Sequence, residues 1–420
     1  MKHPQRGSGC VSRIDLRDAR GKPFMVTFDD GQVHHYNAES MKKMVKDGEV
    51  PRKALADTHR RTRLQAMMTM QQSAPSLGVA FSADGGWLAT GDDDGKVTLY
   101  RATGELVLHE TLKREARVRC VAFSPILANG MQYVAVGGDE KLVAVYGISS
   151  HGVAPSPIHT FVHTEKIFSV AFPADGPKQS LLLCVCGADK RVTIYDLLSE
   201  GKVVFCFEHQ QHLNVVTITH DAALLATGGF DNRVTVYNVR DTASENGSIA
   251  FVFERDGAVN QICFSADSQL LAVGGFSSNV NVHDLSRGGE ILHTLLRSTC
   301  TSALAFSVKK QYLVVGGYSH DVTVYELGVG SAAACIWHAF GQASVVSTIC
   351  ISNADLLAVG AKDGRINVYD LSVVGALVGS FRLAKSVRSI CFSADSRLVA
   401  GALHVAFCTP PRLCMLSGGP

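Results

Sequence analysis

Residues that could carry out chemistry are present in this chain, but few of them are spaced for it. Asp92–Asp94 is a run of three carboxylates, which could serve acid–base chemistry or bind a cation. Cys184 and Cys186 would share one face of a strand, yet no histidine nearby has metal-ligand spacing. His34 and His35 would point to opposite faces of a strand. We therefore predict no metal site and no cofactor.

The common sequence signatures of enzymes are missing from the 420 residues. The chain has no GxxxxGKS or GxxxxGKT phosphate loop, no HExxH zinc motif and no GxSxG nucleophile elbow. Its carboxylates recur at regularly spaced turns, which favours a role in turn geometry over catalysis. We predict that the protein is not an enzyme.

Composition and charge are typical of an intracellular globular protein. Hydrophobic residues make up 46% and charged residues 19%, and the formal net charge is +2. Residues 1–63 carry 14 Lys/Arg and 8 Asp/Glu, whereas residues 64–420 carry 26 and 30, so a basic head precedes a mildly acidic body. The sequence has no apolar run of about 18 residues, and its 12 cysteines form no CxxC pair. We expect a cytoplasmic protein, with the nucleus as the alternative, and no membrane insertion.

An internal repeat organises most of the sequence. Each unit has an apolar run, a turn, a second apolar run that ends in glycine, and an alternating run such as Val234–Tyr237. An anchor residue at the end of the first run recurs about every 44 residues, which is the length of a four-stranded propeller blade. The anchors are Phe81, Phe123, Phe172, Ile218, Phe264, Phe306, Ile351 and Phe392. The period predicts a tandem array of antiparallel β-sheets.

Residues 64–402 resemble the WD-repeat family. Where that family has Trp-Asp at the end of the third strand, the aromatic position holds Tyr100, Tyr146, Tyr195, Tyr237, His283, Tyr325 and Tyr369. The structural aspartate of the blade turn, six residues earlier, is present as Asp94, Asp189, Asp231 and Asp363. In the second unit Asp139 is displaced by one residue. The family's histidine before the first strand is matched only by His163 and His209, so the resemblance implies that most units lack the His–Asp network.

The resemblance implies an all-β β-propeller, for which we favour eight blades over seven. The last unit departs from the repeat after Ala402, and two adjacent prolines follow that cannot extend a central strand. Residues 403–420 are a divergent tail, which is either truncated or contains a closing strand at His404–Cys408. Leu64–Met70 lies where an outer strand would precede the first complete unit. Pairing of this segment with the last unit would close the ring.

A small basic module precedes the repeats. Residues 1–44 form this predicted module, which from residue 3 onwards is similar to a small Tudor-like β-barrel. Phe24, Phe28 and Tyr36 would form either an aromatic cage for a methylated lysine or arginine, or the core of the small barrel. Residues 45–63 are a basic linker. A chromatin or nucleic-acid reader is therefore the alternative function, although nucleic acid is not the favoured partner.

A protein-binding surface is the function that the family resemblance implies. In the family, partners dock where the loops that lead into the first strands converge on the central channel. The residues predicted on this face are Arg117, Arg119, Lys166, Phe168, Asn214, Asn260 and Arg388. Arginine with an aromatic ring is typical of a polar binding rim with a few anchors. We predict a non-enzymatic scaffold that binds proteins or peptides, with a propeller enzyme as the second alternative.

Overall fold

The structure is a computed structural model in which the chain forms two compact units. Residues 74–407 are described except for gaps at 104, 150–151, 175–179, 241–247, 309–311, 328–333, 373–374, 384, 397 and 402–403, and five strands before residue 70 are described as well. The first unit combines Met1–Thr62 with Pro411–Pro420, and the second is Arg63–Pro410. Most of the described residues belong to the second unit.

The first unit contains one antiparallel sheet with the strand order β1-β2-β3-β4. Its strands are β1 (Lys2–His3), β2 (Gly7–Ile14), β3 (Phe24–Phe28) and β4 (Val33–Tyr36). Neighbours in the chain are neighbours in the sheet, so the backbone follows a simple meander. The basic linker at 45–63 lies outside the described residues, and the resemblance to a Tudor-like barrel stays a prediction.

The second unit begins with β5 (Gln65–Thr69) and continues with seven antiparallel blades, each made from consecutive strands. Blade 1 contains β6 (Ser76–Phe81), β7 (Trp87–Asp92), β8 (Lys96–Thr103) and β9 (Glu105–Lys113). Blade 2 contains β10 (Val118–Phe123), β11 (Gln132–Gly138), β12 (Leu142–Ser149), the short β13 (Gly152–Val153) and β14 (His159–Val162). Blade 3 contains β15 (Ile167–Ala171), β16 (Leu182–Gly187), β17 (Arg191–Asp196) and β18 (Lys202–Glu208).

The remaining blades repeat this order. Blade 4 contains β19 (Leu213–Ile218), β20 (Leu224–Gly229), β21 (Arg233–Asn238) and β22 (Ser248–Glu254). Blade 5 contains β23 (Val259–Phe264), β24 (Leu270–Gly275), β25 (Asn279–Asp284), a 3-10 turn at Leu285–Arg287 and β26 (Glu290–Leu296). Blade 6 contains β27 (Thr301–Phe306), β28 (Tyr312–Gly317), β29 (Asp321–Glu326) and β30 (Cys335–Gly341). Blade 7 contains β31 (Val346–Ile351), β32 (Leu356–Ala361), β33 (Arg365–Asp370) and β34 (Ala376–Arg382).

A further four-stranded sheet, here called the closing sheet, joins the two ends of the second unit. It contains β35 (Ile390–Phe392), β36 (Leu398–Gly401) and β37 (His404–Phe407), and β5 pairs antiparallel with β37. The first strands of blades 1–7 contact one another in order, and β35 contacts both β31 and β6. The ring is therefore closed by strands from opposite ends of the repeat region, which is the pairing that the sequence suggested for Leu64–Met70.

The count of complete blades corrects the sequence prediction. The sequence favours eight, whereas the structure has seven blades that are each built from one continuous segment. The physical reason is that the last unit supplies only three short strands and no outer strand of its own, so β5 takes that place. The divergence after Ala402 thus marks the end of the regular repeats, and His404–Phe407 is a strand.

Packing between blades depends on a glycine near the end of the second strand in six of the seven blades. In six blades a Cβ at this glycine would lie only 2.3–3.0 Å from the side chain that begins or leads into the next first strand. The pairs are Gly91–Val118, Gly137–Ile167, Gly228–Val259, Gly274–Thr301, Gly316–Val346 and Gly360–Val387. Each glycine is a socket for a fully buried side chain that is branched at Cβ. In blade 3 Cys186 takes the position of the glycine. The next first strand begins with Leu213, which is not branched at Cβ and belongs to the same core cluster as Cys186.

Aromatic rings form a second contact between blades. A ring on the outer strand of one blade packs against the third-strand aromatic residue of the next blade, with centroids 3.8–4.0 Å apart; three pairs are stacked and Phe340–Tyr369 is tilted. The pairs are Phe161–Tyr195, Phe207–Tyr237, Phe253–His283 and Phe340–Tyr369. Stacked rings of this kind add stability beyond the area that they bury. Tyrosine or histidine can therefore replace the family's tryptophan, because the outer strand supplies the second ring.

Two blades keep a histidine–aspartate pair. Nδ1 of His163 lies 2.9 Å from Asp189, and Nδ1 of His209 lies 3.3 Å from Asp231. The hydroxyl of Tyr237 lies 2.9 Å from Nε2 of His209. Burial raises the pKa of Tyr237 to about 12, so the hydroxyl stays protonated and can donate a hydrogen bond to Nε2 when His209 carries its proton on Nδ1. His209 can then donate its Nδ1 proton to Asp231, which satisfies both buried side chains.

Four other blades lack the histidine, as the sequence indicates, and have another polar side chain in its place. The position four residues before the first strand holds Arg114, Arg255, Arg297 and Gln342. Arg114 lies 2.7 Å from Glu140, so Glu140 takes the place of the acid in blade 2 while Asp139 lies elsewhere. Arg297, whose side chain is 5% exposed, lies 2.6 Å from Asp321. A guanidinium reaches the same turn as an imidazole, which is why a search for histidine alone underestimates the network.

We expect His209→Ala to lower the free energy of unfolding by about 2 kcal/mol, because Oδ2 of Asp231 and the Tyr237 hydroxyl would each lose a buried hydrogen-bond partner. The measurement is urea unfolding followed by circular dichroism. The matched control is His212→Ala, in the same loop but exposed, for which we expect a change within about 0.5 kcal/mol. Equal losses for the two variants would contradict a stabilising role for the pair.

Candidate partner-binding face

The loops that lead into the first strands surround a cavity of about 820 Å³, here called the mouth. Its lining comes from blades 1–4, 6 and 7 and from the segment before β35, so the mouth lies on the axis of the ring. Four of the seven residues predicted on this face line it: Arg119, Phe168, Asn214 and Arg388. The other three, Arg117, Lys166 and Asn260, are not part of the lining.

Arg119 is held in place by two neighbours at the mouth. Its guanidinium is hydrogen-bonded to both carboxylate oxygens of Asp139 and lies 5.4 Å from the centroid of the Phe168 ring. Nζ of Lys166 lies 3.6 Å from the same carboxylate. The hydrogen bond from Arg119 holds the pKa of Asp139 below its usual range, against the opposing effect of partial burial. Asp139 is therefore ionised near neutral pH and faces two cations.

The remaining predicted residues are also engaged within the protein. Nε of Arg117 lies 2.7 Å from the Asp93 carboxylate. The side-chain amide of Asn214 donates to Oδ1 of Asn260 at 2.9 Å and to the carbonyl of Val259 at 3.1 Å. Asn214 thus ties blade 4 to blade 5, so part of its hydrogen-bonding capacity serves the fold.

Seven equivalent positions surround the mouth, one per blade, and are here called the rim positions. At each of them the backbone N–H donates to the carbonyl of the residue just before that blade's first strand, with N···O distances of 2.8–3.2 Å. The rim residues are Asp93, Asp139, Ala188, Phe230, Phe276, Tyr318 and Lys362. This repeated hydrogen bond fixes the backbone, so the side chain can vary without changing the fold.

Three consecutive rim positions carry exposed aromatic rings that sequence reasoning missed. Phe230 and Phe276 are each 51% exposed, and Tyr318 is 46% exposed. Exposed aromatic residues that recur on neighbouring blades are characteristic of surfaces that bind other molecules. The signal in the sequence is positional: each ring lies seven residues before the third-strand aromatic residue, within a turn that is otherwise polar.

The cations of the mouth differ in whether they have a carboxylate partner. Its described lining includes the cations Arg119, Lys362 and Arg388 and no carboxylate. Nζ of Lys362 lies 4.7 Å from the centroid of the Tyr318 ring. Lys362 and Arg388 are exposed, and no described carboxylate lies within 4.0 Å of either. The mouth is therefore a positive opening in a propeller that is acidic overall.

The predicted blade-turn aspartates cap the turns between second and third strands. Asp189, Asp231 and Asp363 each accept the backbone N–H two residues later at 3.1–3.2 Å. In blade 1 this part belongs to Asp92, which accepts from the N–H groups of Asp94 at 3.0 Å and Lys96 at 2.7 Å. Burial raises the pKa of Asp92, and the two backbone donors oppose that effect. The carboxylate run at 92–94 is thus an element of turn structure.

Other candidate chemistry from the sequence has a structural place or lies outside the described residues. Burial raises the pKa of the Cys184 and Cys186 thiols, as expected for packed side chains. Within the described ranges no group of three His, Cys, Asp or Glu could hold a metal ion. No helix in the same part of the chain is both long enough and apolar enough to cross a membrane. The side chains of Phe24, Phe28 and Tyr36 are not described, so the aromatic cage stays a prediction.

Comparison with known proteins agrees with this architecture. Residues 68–101, 155–196 and 247–284 match the model for the WD domain, G-beta repeat. These three segments are therefore WD40 repeats, and the second unit that contains them has the fold of a β-propeller.

One relative and two solved structures are informative. The chain is 31% identical over 170 residues to Actin-interacting protein 1 of Caenorhabditis elegans, which covers 40% of this chain and 25% of that protein. Sqt1 from Chaetomium thermophilum superposes with a TM-score of 0.70 at 17% identity, covering 83% of this chain and all of that one. The same Sqt1 bound to the N-terminus of the ribosomal protein L10 gives a TM-score of 0.68 at 17% identity, covering 83% of this chain and 99% of that one. The two Sqt1 structures show that the fold is shared.

Proposed function

We propose that this protein is a non-enzymatic scaffold that captures a segment of a partner protein at the mouth of its propeller. The observation that carries the proposal is a cavity of about 820 Å³ lined by two exposed aromatic rim residues, Phe230 and Tyr318, with a third, Phe276, at the equivalent position of the blade between them. An aromatic cluster beside a concave opening, with polar and charged groups around it, is the arrangement of a binding hot spot.

The side chains of the mouth are suited to binding. Its described lining contains no carboxylate, histidine or cysteine, so in this part of the chain neither Lys362 nor the serine hydroxyls of Ser347 and Ser386 have an acid–base partner of those three types in the lining. The one carboxylate that contacts Arg119, on Asp139, has a lowered pKa and is therefore a weak base. These features favour the scaffold over the propeller enzyme as the function.

The relatives suggest what kind of partner to test first. Sqt1, which has the same fold, is known in a complex with the N-terminus of a ribosomal protein, so one propeller of this shape binds a chain terminus. The partial relative is named for an interaction with actin, which makes actin the first candidate partner. Because this chain spans about a quarter of that relative, the proposal does not depend on actin.

Site-specific photo-crosslinking tests the location of the site. We expect a benzoylphenylalanine at position 230, which lines the cavity, to crosslink to partner proteins in native cells, and to purified actin if actin is the partner. The matched control places the same group at Ile249, which is 60% exposed on the outer strand β22. Crosslinks of equal yield from both positions, or from Ile249 alone, would contradict binding at the mouth.

A further inference from the structure

Six of the seven rim positions carry carboxylates, aromatic rings or a lysine, and each of these three types occupies its own arc of the ring. The three aromatic residues, Phe230, Phe276 and Tyr318, are here called the aromatic arc. Blades 1 and 2 present the carboxylates Asp93 and Asp139, blades 4–6 present the aromatic rings, and blade 7 presents Lys362. The carboxylate arc is already neutralised, because Asp93 faces Arg117 and Asp139 faces Arg119 and Lys166. A partner therefore gains little by bringing cations to that side.

The opposite side of the mouth is not neutralised. Lys362 and Arg388 both line the cavity, both are exposed, and no described carboxylate lies within 4.0 Å of either. Lys362 lies over the ring of Tyr318, so this cation and the end of the aromatic arc form one contact surface. A single occupant would meet an exposed ring and an unpaired cation side by side.

This arrangement specifies the chemistry of the occupant. We infer that the mouth binds an acidic segment of a partner protein, in which an aromatic or large aliphatic anchor lies beside one or more carboxylates. The anchor contacts Phe230 and Tyr318, and the carboxylates pair with Lys362 and Arg388, all four of which line the cavity. The inference rests on the proposed function, since it names the partner class of the same site.

Charge complementarity separates this occupant from a basic segment. The propeller carries more acidic than basic residues, so a basic segment would be attracted to much of its surface, whereas an acidic one is attracted to the mouth. Complementary charges of this kind mainly set specificity and association rate, and the buried anchor supplies most of the affinity. The inference therefore predicts dependence on both the rings and the cations.

A random peptide library displayed on phage, selected against the full chain, tests the inference. We expect enriched peptides that combine Asp or Glu with Phe, Tyr, Trp or Leu. A synthetic copy of an enriched peptide should bind the Lys362→Glu, Arg388→Glu double variant at least about tenfold more weakly than the wild type. Its binding should also weaken as salt is raised. The control is the double variant Arg233→Glu, Arg240→Glu, which reverses two exposed cations outside the mouth lining.

The outcomes distinguish a wrong partner class from a wrong site. Enriched peptides that are basic or neutral, yet lose binding when the rim aromatic residues are replaced, would overturn the acidic assignment and leave the proposed function intact. Peptides unaffected by both the ring and the cation variants would overturn the inference and the proposed function together. Displacement of bound peptide by a short oligo(dT) more readily than by free peptide would overturn the assignment in favour of nucleic acid.

Discussion

Gly228→Ala is expected to lower the free energy of unfolding by about 3 kcal/mol, although it adds a single methyl group. The new Cβ would lie 2.5 Å from Cγ1 of Val259 and 2.9 Å from Cδ1 of Ile262. Val259 is fully buried at the start of the next blade and has no room to move aside. The substitution would therefore force blades 4 and 5 apart. Urea unfolding measures the loss.

The matched control for this prediction is Gly341→Ala, where a Cβ would meet nothing within 4 Å. We expect that variant to stay within about 0.5 kcal/mol of the wild type. Blade 3 suggests a second test, since it has Cys186 at the socket position and Leu213 in the same core cluster. The loss in free energy of unfolding caused by Gly228→Cys should be smaller when Val259→Leu is also present. If the two substitutions lower the free energy of unfolding additively, the glycine does not act as a socket for the Val259 side chain.

The largest expected effect on function comes from the aromatic arc. We expect Phe230→Ala, Phe276→Ala and Tyr318→Ala together to reduce partner binding by at least about 100-fold, because exposed aromatic clusters commonly supply most of the binding energy of an interface. All three side chains are about half exposed, so the fold should keep its stability. Quantitative mass spectrometry of proteins that copurify with the full chain from native cells measures the loss.

Exposed isoleucines on the outer strands provide the control for the aromatic variant. Ile249, Ile291 and Ile336 are 55–61% exposed and are equivalent to one another, each paired with the third-strand aromatic residue of its own blade. Replacing all three by alanine removes a comparable exposed apolar surface away from the mouth. We expect copurification to be unchanged. Loss of the same partners from both triple variants would contradict binding at the mouth.

Much of the fold could be predicted from the sequence because it is repeated. A period of about 44 residues, with alternating third strands such as Val234–Tyr237, defines four-stranded blades without any knowledge of long-range contacts. The blade count was harder, because β5 and β37 pair across nearly the whole chain. Such a pairing leaves no local pattern beyond a short apolar run. The replacement of histidine by Arg114 and Arg297 was missed because different side chains form the same contact.

The candidate site was only partly predictable for a similar reason. Position within the repeat was enough to place Arg119, Phe168, Asn214 and Arg388 at one cavity. It could not show that Arg119 is paired with Asp139, since the two residues are 20 positions apart and meet only in the folded blade. The aromatic arc was missed because Phe230, Phe276 and Tyr318 lie in turns, and a single apolar residue in a turn forms no periodic pattern. They lie on neighbouring blades only once blades 4–6 have folded against one another.

The closing sheet also sets an order of events during synthesis. β5 leaves the ribosome before any blade, yet its partner strand β37 lies about 335 residues later, so the two cannot meet until almost the whole propeller has been made. Until then the growing array is an open arc whose first and last blades each expose an unpaired side. Blades 1–7 can pair locally as they emerge, and the final, long-range step joins the arc into a ring. Translation that stops before β37 would therefore release a chain with seven formed blades, in which the first and last blades each have an exposed side. Such a chain would bind chaperones or aggregate.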